Sequence, residues 1–266
     1  LIHLTGMETS LKGQYLNSKN ISDRIRLHSL YSQNKEGWFP WLYRMYQLRE
    51  GMKILELGCG DGSLWSQNKE KLPENISLTL SDISEGMLRD AKRNLGGEDS
   101  RFAFRSFDCQ VIPFPDEQFD MIIANHVLFY CKDLDKTLKE IRRVLKSEGV
   151  FYCSAYGADH MAQISCLVQD FDSRIILSAD KLYEKFGREN GPSLLTPYFS
   201  RVEWHRYEDS LLVTQAEPLI AYILSCHGNQ NQYILDRYKE FRSFVSKKTA
   251  DGFYITKDAG FFACQK

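Results

Sequence analysis

Three glycines alternate at Gly58, Gly60 and Gly62 in the segment ILELGCGDG (residues 54–62), directly after a short apolar run. A carboxylate follows at Asp82, 22 positions beyond Gly60. Glycines at the end of a strand let the backbone approach a ligand and adopt turn angles that a side chain forbids. A helix starting after such a loop points its N-terminus at that ligand. A carboxylate at the end of the next strand can accept both hydroxyls of a ribose, although an Asp before a helix also reads as a cap. The pattern therefore points to an adenosine-type ligand. Two features separate the kinds of adenosine ligand. A dinucleotide fingerprint needs a third glycine three residues after the second, and Ser63 stands there. Glu56, two residues before Gly58, would repel a diphosphate, whereas a ligand with a sulfonium and an α-ammonium gains from a nearby carboxylate.

These residues need a scaffold, and the middle of the chain supplies its rhythm. Lys53–Leu57, Ile76–Ser81, Phe102–Phe107, Phe119–Ala124 and Val150–Ala155 are short apolar or β-rich runs, read as five strands. Between them lie helical patterns. Ser63–Lys71 follows the glycine loop, and Ser84 is placed to cap a helix carrying Met87, Leu88, Ala91 and Leu95, closed by Gly96-Gly97. Leu134, Leu138, Ile141 and Leu145 form a further apolar stripe, which Gly149 is placed to terminate. Strands alternating with helices give an α/β fold: a doubly wound, mostly parallel, seven-stranded sheet with helical additions at both ends. Residues 1–48 are expected to form an N-terminal helical lid, 49–157 the cofactor-binding core, and 158–266 the completion of the sheet with helical cap insertions, all as one structural domain. In the last part, Met161, Ile164, Val168 and Phe171 mark a helix, a shorter one starts near Asp180, and Glu217–Cys226 and Gln232–Val245 read as helices. Arg201–Tyr207 reads as a strand, and Gly252–Cys264 as a hairpin or a long strand bent near Asp258-Ala259-Gly260.

Residues 53–155 resemble the class I S-adenosylmethionine-dependent methyltransferases, in particular their small-molecule-type subgroup. The resemblance is carried by ILELGCGDGS, LSDISEGML, FDCQVIPFPDEQFDMIIANHVLFY and LKEIRRVLKSEGVFYCS, four motifs in order and at the right spacing. It implies a Rossmann-like fold with S-adenosyl-L-methionine as cofactor and S-adenosyl-L-homocysteine as product. It also implies that Gly58, Cys59 and Gly60 contact the methionine part through backbone, and that Asp82 binds the ribose, with Ile83 and Met87 near the adenine. Asp108 would accept from the adenine amine, Cys109 would offer its backbone amide, and Gln110 would lie alongside. Asn125 and His126 would flank the methionine and the acceptor entrance. Asp108 also reads as a turn residue, Cys109 as packing, and His126 as a core histidine.

Methyl transfer needs alignment first, and a general base only where the acceptor must lose a proton. His126 and Tyr130 are the candidate catalytic residues; His160 and His205 are further bases that the sequence does not place. Asn125-His126-Val127-Leu128 lacks the prolines of an amino-methylating DNA motif, and no Pro-Cys pair is available for cytosine-carbon methylation. No metal-ligand spacing appears, and the scattered cysteines do not resemble arsenic-methylating thiol clusters. The acceptor expected is a small molecule, with a protein as a lesser option. The aromatic segment 31–46 is a candidate lid, in which Tyr31 and Trp38 are the site residues, or else the packing of a helix on the sheet.

Composition narrows the partners. The 266 residues are 43% hydrophobic and 26% charged, ordinary for a globular chain, and Lys+Arg 34 against Asp+Glu 35 leaves a net charge of -1. Nucleic acid is not expected as a partner, because affinity for it comes from neutralising phosphates. The 7 cysteines form no C-x-x-C pair, so a reducing, cytoplasmic setting is expected. No run approaches the ~20 apolar residues that span a bilayer, and the first residues lack the pattern of a secretory signal. The six residues before Met7 read as an added or processing remnant. Two rival readings of the glycine loop stay open: a nicotinamide-dependent oxidoreductase, and a non-catalytic protein that binds S-adenosylmethionine.

Overall fold

The computed structural model describes residues 23–178 and 180–266. The opening residues, including the six before Met7 and the start of the first helical stretch, lie outside the described residues. The strands are β1 (Lys53–Leu57), β2 (Ser77–Asp82), β3 (Phe102–Ser106), β4 (Phe119–Asn125), β5 (Leu145–Tyr156), β6 (Arg201–Arg206), β7 (Ser210–Val213), β8 (Phe253–Thr256) and β9 (Ala259–Gln265). The helices are α1 (residues 23–31), α2 (Trp38–Tyr46), α3 (Ser63–Ser66), α4 (Glu85–Leu95), α5 (Leu134–Val144), α6 (Ala162–Phe171), α7 (Leu182–Lys185), α8 (Gly191–Leu195), α9 (Ala216–Leu224), α10 (Gln230–Ile234) and α11 (Tyr238–Thr249).

The main sheet has seven strands in the order β3-β2-β1-β4-β5-β9-β6, and β9 runs antiparallel to both of its neighbours. The expected doubly wound, mostly parallel sheet is therefore present. Its central strands are apolar because both faces are covered: β1 buries Ile54 to Leu57, and β4 buries Met121 to Ala124. One face packs against α5 and α8 through Leu138, Ile141, Val144 and Leu195. The other packs against α2, α3 and α4 through Trp41, Leu42, Tyr46, Trp65 and Ala91. Ser84 caps α4 as its position suggests, accepting from Met87 N, and Asp133 caps α5 by accepting from Lys136 N.

Three local expectations differ from the structure. The stretch read as one helix over Gln232–Val245 is divided into α10 and α11 by a 3-10 turn at Leu235–Arg237. Gly149 does not end the helix of residues 134–144. That helix passes directly into β5 at Leu145, and Gly149 lies within β5 beside the register shift between Phe119 and Met121. A Cβ at Gly149 would stand 2.6 Å from Leu145 Cδ1, so the bulge itself requires glycine. The stretch after the glycine loop is one short helix followed by a 3-10 turn at Lys69–Lys71, not a continuous helix.

The remaining helices build a cap with its own core. Leu27 and Tyr31 of α1 meet Ile164, Leu167 and Val168 of α6, Leu219 and Ile223 of α9, and Phe241 and Val245 of α11. They share this core with Leu211, Val213 and Ile255 of the two-stranded sheet β7-β8. The N-terminal segment thus divides: α1 packs into the cap, while α2 covers the main sheet. The long C-terminal run bends at Lys257-Asp258, so that β8 belongs to the cap and β9 to the main sheet.

Cap and sheet are joined at Asp209, between β6 and β7. Its carboxylate, fully buried, pairs with Lys257 Nζ at 2.6 Å and accepts from Ser32 Oγ (2.6 Å) and Asn34 N (2.9 Å). Lys257 is itself only 11% exposed, so its charge has little access to water once the partner is removed. Removing one member of such a buried pair typically costs about 3–5 kcal/mol. Asp209→Ala is expected to lower the stability in urea by that amount. A loss under about 1 kcal/mol, the size of an exposed pair, would show that the junction is not held this way.

Candidate functional site

The strand order reverses direction between β1 and β4, and a doubly wound sheet opens a crevice at the carboxyl ends of the strands at such a point. The loop after β1 lies there. Gly58, Gly60 and Gly62 have φ values of 66°, 55° and 74°, in the left-handed region that glycine adopts without strain. Cys59 N donates to Ser81 O at 2.8 Å, tying the loop to β2. The Cys59 side chain is buried, and burial pushes its thiol pKa up. Only its backbone can therefore face a ligand in the crevice.

Asp82 ends β2 with its side chain buried. Gly60 N donates to Asp82 Oδ2 at 3.0 Å, and Ser84 N donates to Oδ1 at 2.8 Å. One carboxylate thus fixes both the glycine loop and the start of α4. Beyond it, Ile83 is 68% exposed and Met87 is half-buried on α4. After β3, Asp108 accepts from Gln110 N and Gln110 Nε2, both at 2.9 Å, and Gln110 Oε1 accepts from Asp133 N at 3.1 Å. Cys109 Sγ lies 3.5 Å from Cys131 Sγ, which sets the turn against the segment after β4.

Glu56 is the least ordinary group of the site. It sits inside β1 with its side chain buried. Trp65 Nε1 donates to Glu56 Oε2 at 2.6 Å, and Tyr46 donates to Asn125 Oδ1 at 3.1 Å, while the buried Asn125 Nδ2 near Glu56 makes no hydrogen bond of its own among the described residues. Burial raises the Glu56 pKa to about 7; Trp65 and Asn125 oppose the rise, and Asp82 and Asp61 add to it. A carboxyl group so placed keeps its charge poorly on its own, and a cation beside it would restore that charge.

At the end of β4, His126 takes the left-handed conformation (φ 54°), with its N–H donated to Ser154 Oγ at 2.9 Å. Its ring stacks between Tyr156 (4.2 Å, 7°) and Trp38 (5.4 Å, 18°). Burial holds its pKa well below the usual histidine range, and its Nδ1 is buried without a partner among the described residues. Tyr130, in the 3-10 turn Leu128–Tyr130, is half-buried, and burial raises its pKa.

The structure thus brings Glu56, Gly58, Cys59, Gly60, Asp82, Asn125, His126 and Trp38 together around one crevice, with the Asp108–Gln110 turn, Ile83 and Met87 along its β2–β3 side. It does not bring Tyr31, which lies in the cap core. His160 joins the aromatic column by stacking on Tyr156 at 4.3 Å, whereas His205 stacks on Phe261 across the β6-β9 pair. Sequence reasoning missed Trp65 and Tyr46, the groups that hold the Glu56 region. The one available signal was that a carboxyl inside an apolar strand must have a donor nearby. Among the described residues no group of three or more His, Cys, Asp or Glu could hold a metal, and no helix is long and apolar enough to cross a membrane.

Comparison with known proteins agrees with this geometry. Residues 55–153 match a family described as a methyltransferase domain. The chain is 36% identical over 126 residues to the ubiquinone/menaquinone biosynthesis C-methyltransferase UbiE of Rickettsia bellii, a match covering 44% of this chain and 48% of that protein. It thus spans about half the length of that relative. In fold it is similar to the YcgJ protein of Bacillus subtilis (TM-score 0.54, 14% identity, covering 86% of this chain and 97% of that one). It is also similar to phosphoethanolamine N-methyltransferase 2 of Haemonchus contortus in complex with S-adenosyl-L-methionine (TM-score 0.52, 16% identity, 97% and 57%). Residues 55–153 are thus a methyltransferase domain, and S-adenosylmethionine is the cofactor that such domains use.

The residues fit that cofactor on the ground of Glu56, whose buried carboxyl is suited to a cationic ligand. The same raised pKa has a cost in the free protein. An acid whose pKa rises on folding destabilises the fold, fully above the folded value near 7 and not at all below the unfolded value near 4.5. Glu56→Gln keeps an acceptor for Trp65 and removes that charge. The variant is expected to be more stable than the wild type at pH 8, by on the order of 1–3 kcal/mol, with the difference vanishing toward pH 4.5. Thermal unfolding from pH 4.5 to 8 measures this. A pH-independent difference would mean that Glu56 does not titrate as described.

Proposed function

We propose that this chain transfers a methyl group from S-adenosylmethionine to a small-molecule acceptor by in-line displacement. The observation that carries the reading is Asp82, whose one buried carboxylate positions both the glycine loop and α4 at the carboxyl edge of β1 and β2. When bound, the cofactor supplies a methyl group already activated by its sulfonium.

The residues of this chain bind and align. Gly58, Cys59 and Gly60 present backbone to the methionine part, and Glu56 presents negative charge toward its cationic groups. Asp82 accepts from the ribose. Ile83 and Met87 cover the adenine, with Asp108, Cys109 and Gln110 at its edge. Asn125 and His126 border the reacting end. His126 is held neutral by burial and clamped between two rings, so it acts as an oriented wall and is a poor proton acceptor at neutral pH. Tyr130 keeps its phenolic proton for the same physical reason. With neither group poised as a base, the rate enhancement rests on alignment, which can supply up to roughly 7–11 kcal/mol of a barrier. The name of the Rickettsia bellii relative, a quinone-biosynthesis methyltransferase, supports a small acceptor.

Calorimetry with S-adenosylhomocysteine tests the reading. The wild type is expected to bind, and Asp82→Asn to bind at least about tenfold more weakly, since a charged hydrogen bond contributes about 1.5–3 kcal/mol. No binding by the folded wild type would overturn the proposal. Unchanged affinity in Asp82→Asn would remove Asp82 from the ribose site.

A further inference from the structure

Two thiols meet at the edge of the crevice, and methyl transfer gives their side chains no task. Cys109 lies in the turn after β3 and Cys131 closes the 3-10 turn after β4, and their sulfurs are 3.5 Å apart. The two segments are also joined beside the thiols, where Asp133 N donates to Gln110 Oε1 at 3.1 Å. Each side is anchored. Asp108 accepts from Gln110 N at 2.9 Å, and Thr137 Oγ1 donates to Asp133 O at 2.9 Å. The sulfurs thus face each other from two held turns, 22 positions apart in the chain.

Both side chains are partly exposed, where they pack against the core that holds Phe129, Leu138 and Ile141. Small solutes can therefore reach them. Cys153 and Cys264, on the neighbouring strands β5 and β9, are by contrast fully buried and closed to solvent. The hydrogen bond between the two thiols lowers the pKa of Cys131 and raises that of Cys109, while the Asp108 carboxylate pushes both upward. A thiolate is the form that attacks an oxidant, so Cys131 is the nucleophile of the pair and Cys109 the thiol that resolves it.

Two thiols in contact differ chemically from one. A hydroperoxide oxidises a thiolate to a sulfenic acid, and a neighbouring thiol condenses with that acid to a disulfide before further oxidation. With hydrogen peroxide, the Cys131 sulfur attacks one peroxide oxygen, the O–O bond breaks, and the other oxygen leaves as hydroxide, which takes up the thiol proton to give water. The Cys109 sulfur then attacks the Cys131 sulfur. An S–S bond forms, and the sulfenic oxygen leaves with the Cys109 proton as a second water. The two thiols are oxidised by two electrons, and the peroxide is reduced by two.

We propose that Cys109 and Cys131 are a modification site, at which a hydroperoxide forms a disulfide that reshapes the adenine edge of the cofactor site and that free thiols reverse by exchange. Closing a 3.5 Å contact to the ~2.05 Å of a disulfide draws the two turns together by up to about 1.5 Å. Asp108, Cys109 and Gln110 move with their turn, so the oxidised protein binds cofactor less well. By reciprocity, bound cofactor disfavours the disulfide. Only this effect on the cofactor rests on the methyl-transfer reading above; the disulfide itself rests on the thiol contact.

Treating the reduced protein with hydrogen peroxide tests both parts. Non-reducing peptide mapping by mass spectrometry is expected to show Cys109 joined to Cys131 with the loss of two hydrogens, and dithiothreitol is expected to restore the thiols. Cys109 and Cys131 left as thiols, or carried to sulfinic acids without a linkage, would overturn the site. Calorimetry with S-adenosylhomocysteine follows on reduced, oxidised and re-reduced protein. Oxidation is expected to weaken binding at least about threefold, with recovery after dithiothreitol. Cys131→Ser is expected to form no linkage and to show no dithiothreitol-reversible loss of affinity. A linkage with unchanged affinity, or the same reversible loss in Cys131→Ser, would overturn the effect on the adenine edge. Failure of the reduced wild type to bind would instead remove the methyl-transfer reading, with the peptide map still deciding the disulfide.

Discussion

A carboxyl group placed inside an apolar sheet must find compensation or give up its charge, and Glu56 meets this choice at the carboxyl end of β1. The surrounding structure gives it one neutral hydrogen bond, from the Trp65 indole, with the Asn125 amide, held by Tyr46, close by. Those three residues come from α3, β4 and α2, so the requirement of one side chain fixes how three elements meet at the crevice. It also leaves the carboxyl half-committed, with a pKa near 7. A core chosen for stability alone would not keep such a group, because an apolar or amide residue of similar size avoids the cost. Its presence makes sense where a cation arrives.

Asp82 works in the complementary way. Its charge is met by two backbone amides from opposite sides, so it is structurally settled before any ligand binds. The crevice therefore combines one carboxylate met by two backbone amides, which shapes the loop, and one buried carboxyl met by the Trp65 indole. The cap lies beyond it, with a core of its own. The buried pair of Asp209 and Lys257 ties the two parts together where the chain crosses between them.

The sheet was legible in the sequence because parallel strands covered on both faces read as largely apolar runs, and β1 and β4 are of that kind. The glycine loop, Asp82 and the Ser84 cap were legible because their function is local, set by spacing along the chain. The rest depends on contacts distant in sequence. Gly149 looks the same after an amphipathic helix whether the chain turns there or enters a bulged strand, and only the pairing of β4 with β5 decides. The strand β7 is four residues long and pairs with β8, far along the chain, so it carries no pattern by itself, whereas β8 lay within the stretch read as strand. Tyr31 and Trp38 share one aromatic segment, yet the break between α1 and α2 sends them to different cores. Trp65 and His160 are held by Glu56 and Asp258, partners 9 and 98 residues away.

The central claim is that Glu56 gives up its proton to receive the cationic end of S-adenosylmethionine-type ligands. Proton release on binding measures this directly, by titrating S-adenosylhomocysteine at pH 6.5 in buffers of different ionisation enthalpy. With a free-state pKa near 7, the wild type should release well over half a proton per ligand bound, and Glu56→Gln should release close to none. Binding without proton release in the wild type, or equal release in both proteins, would contradict the account.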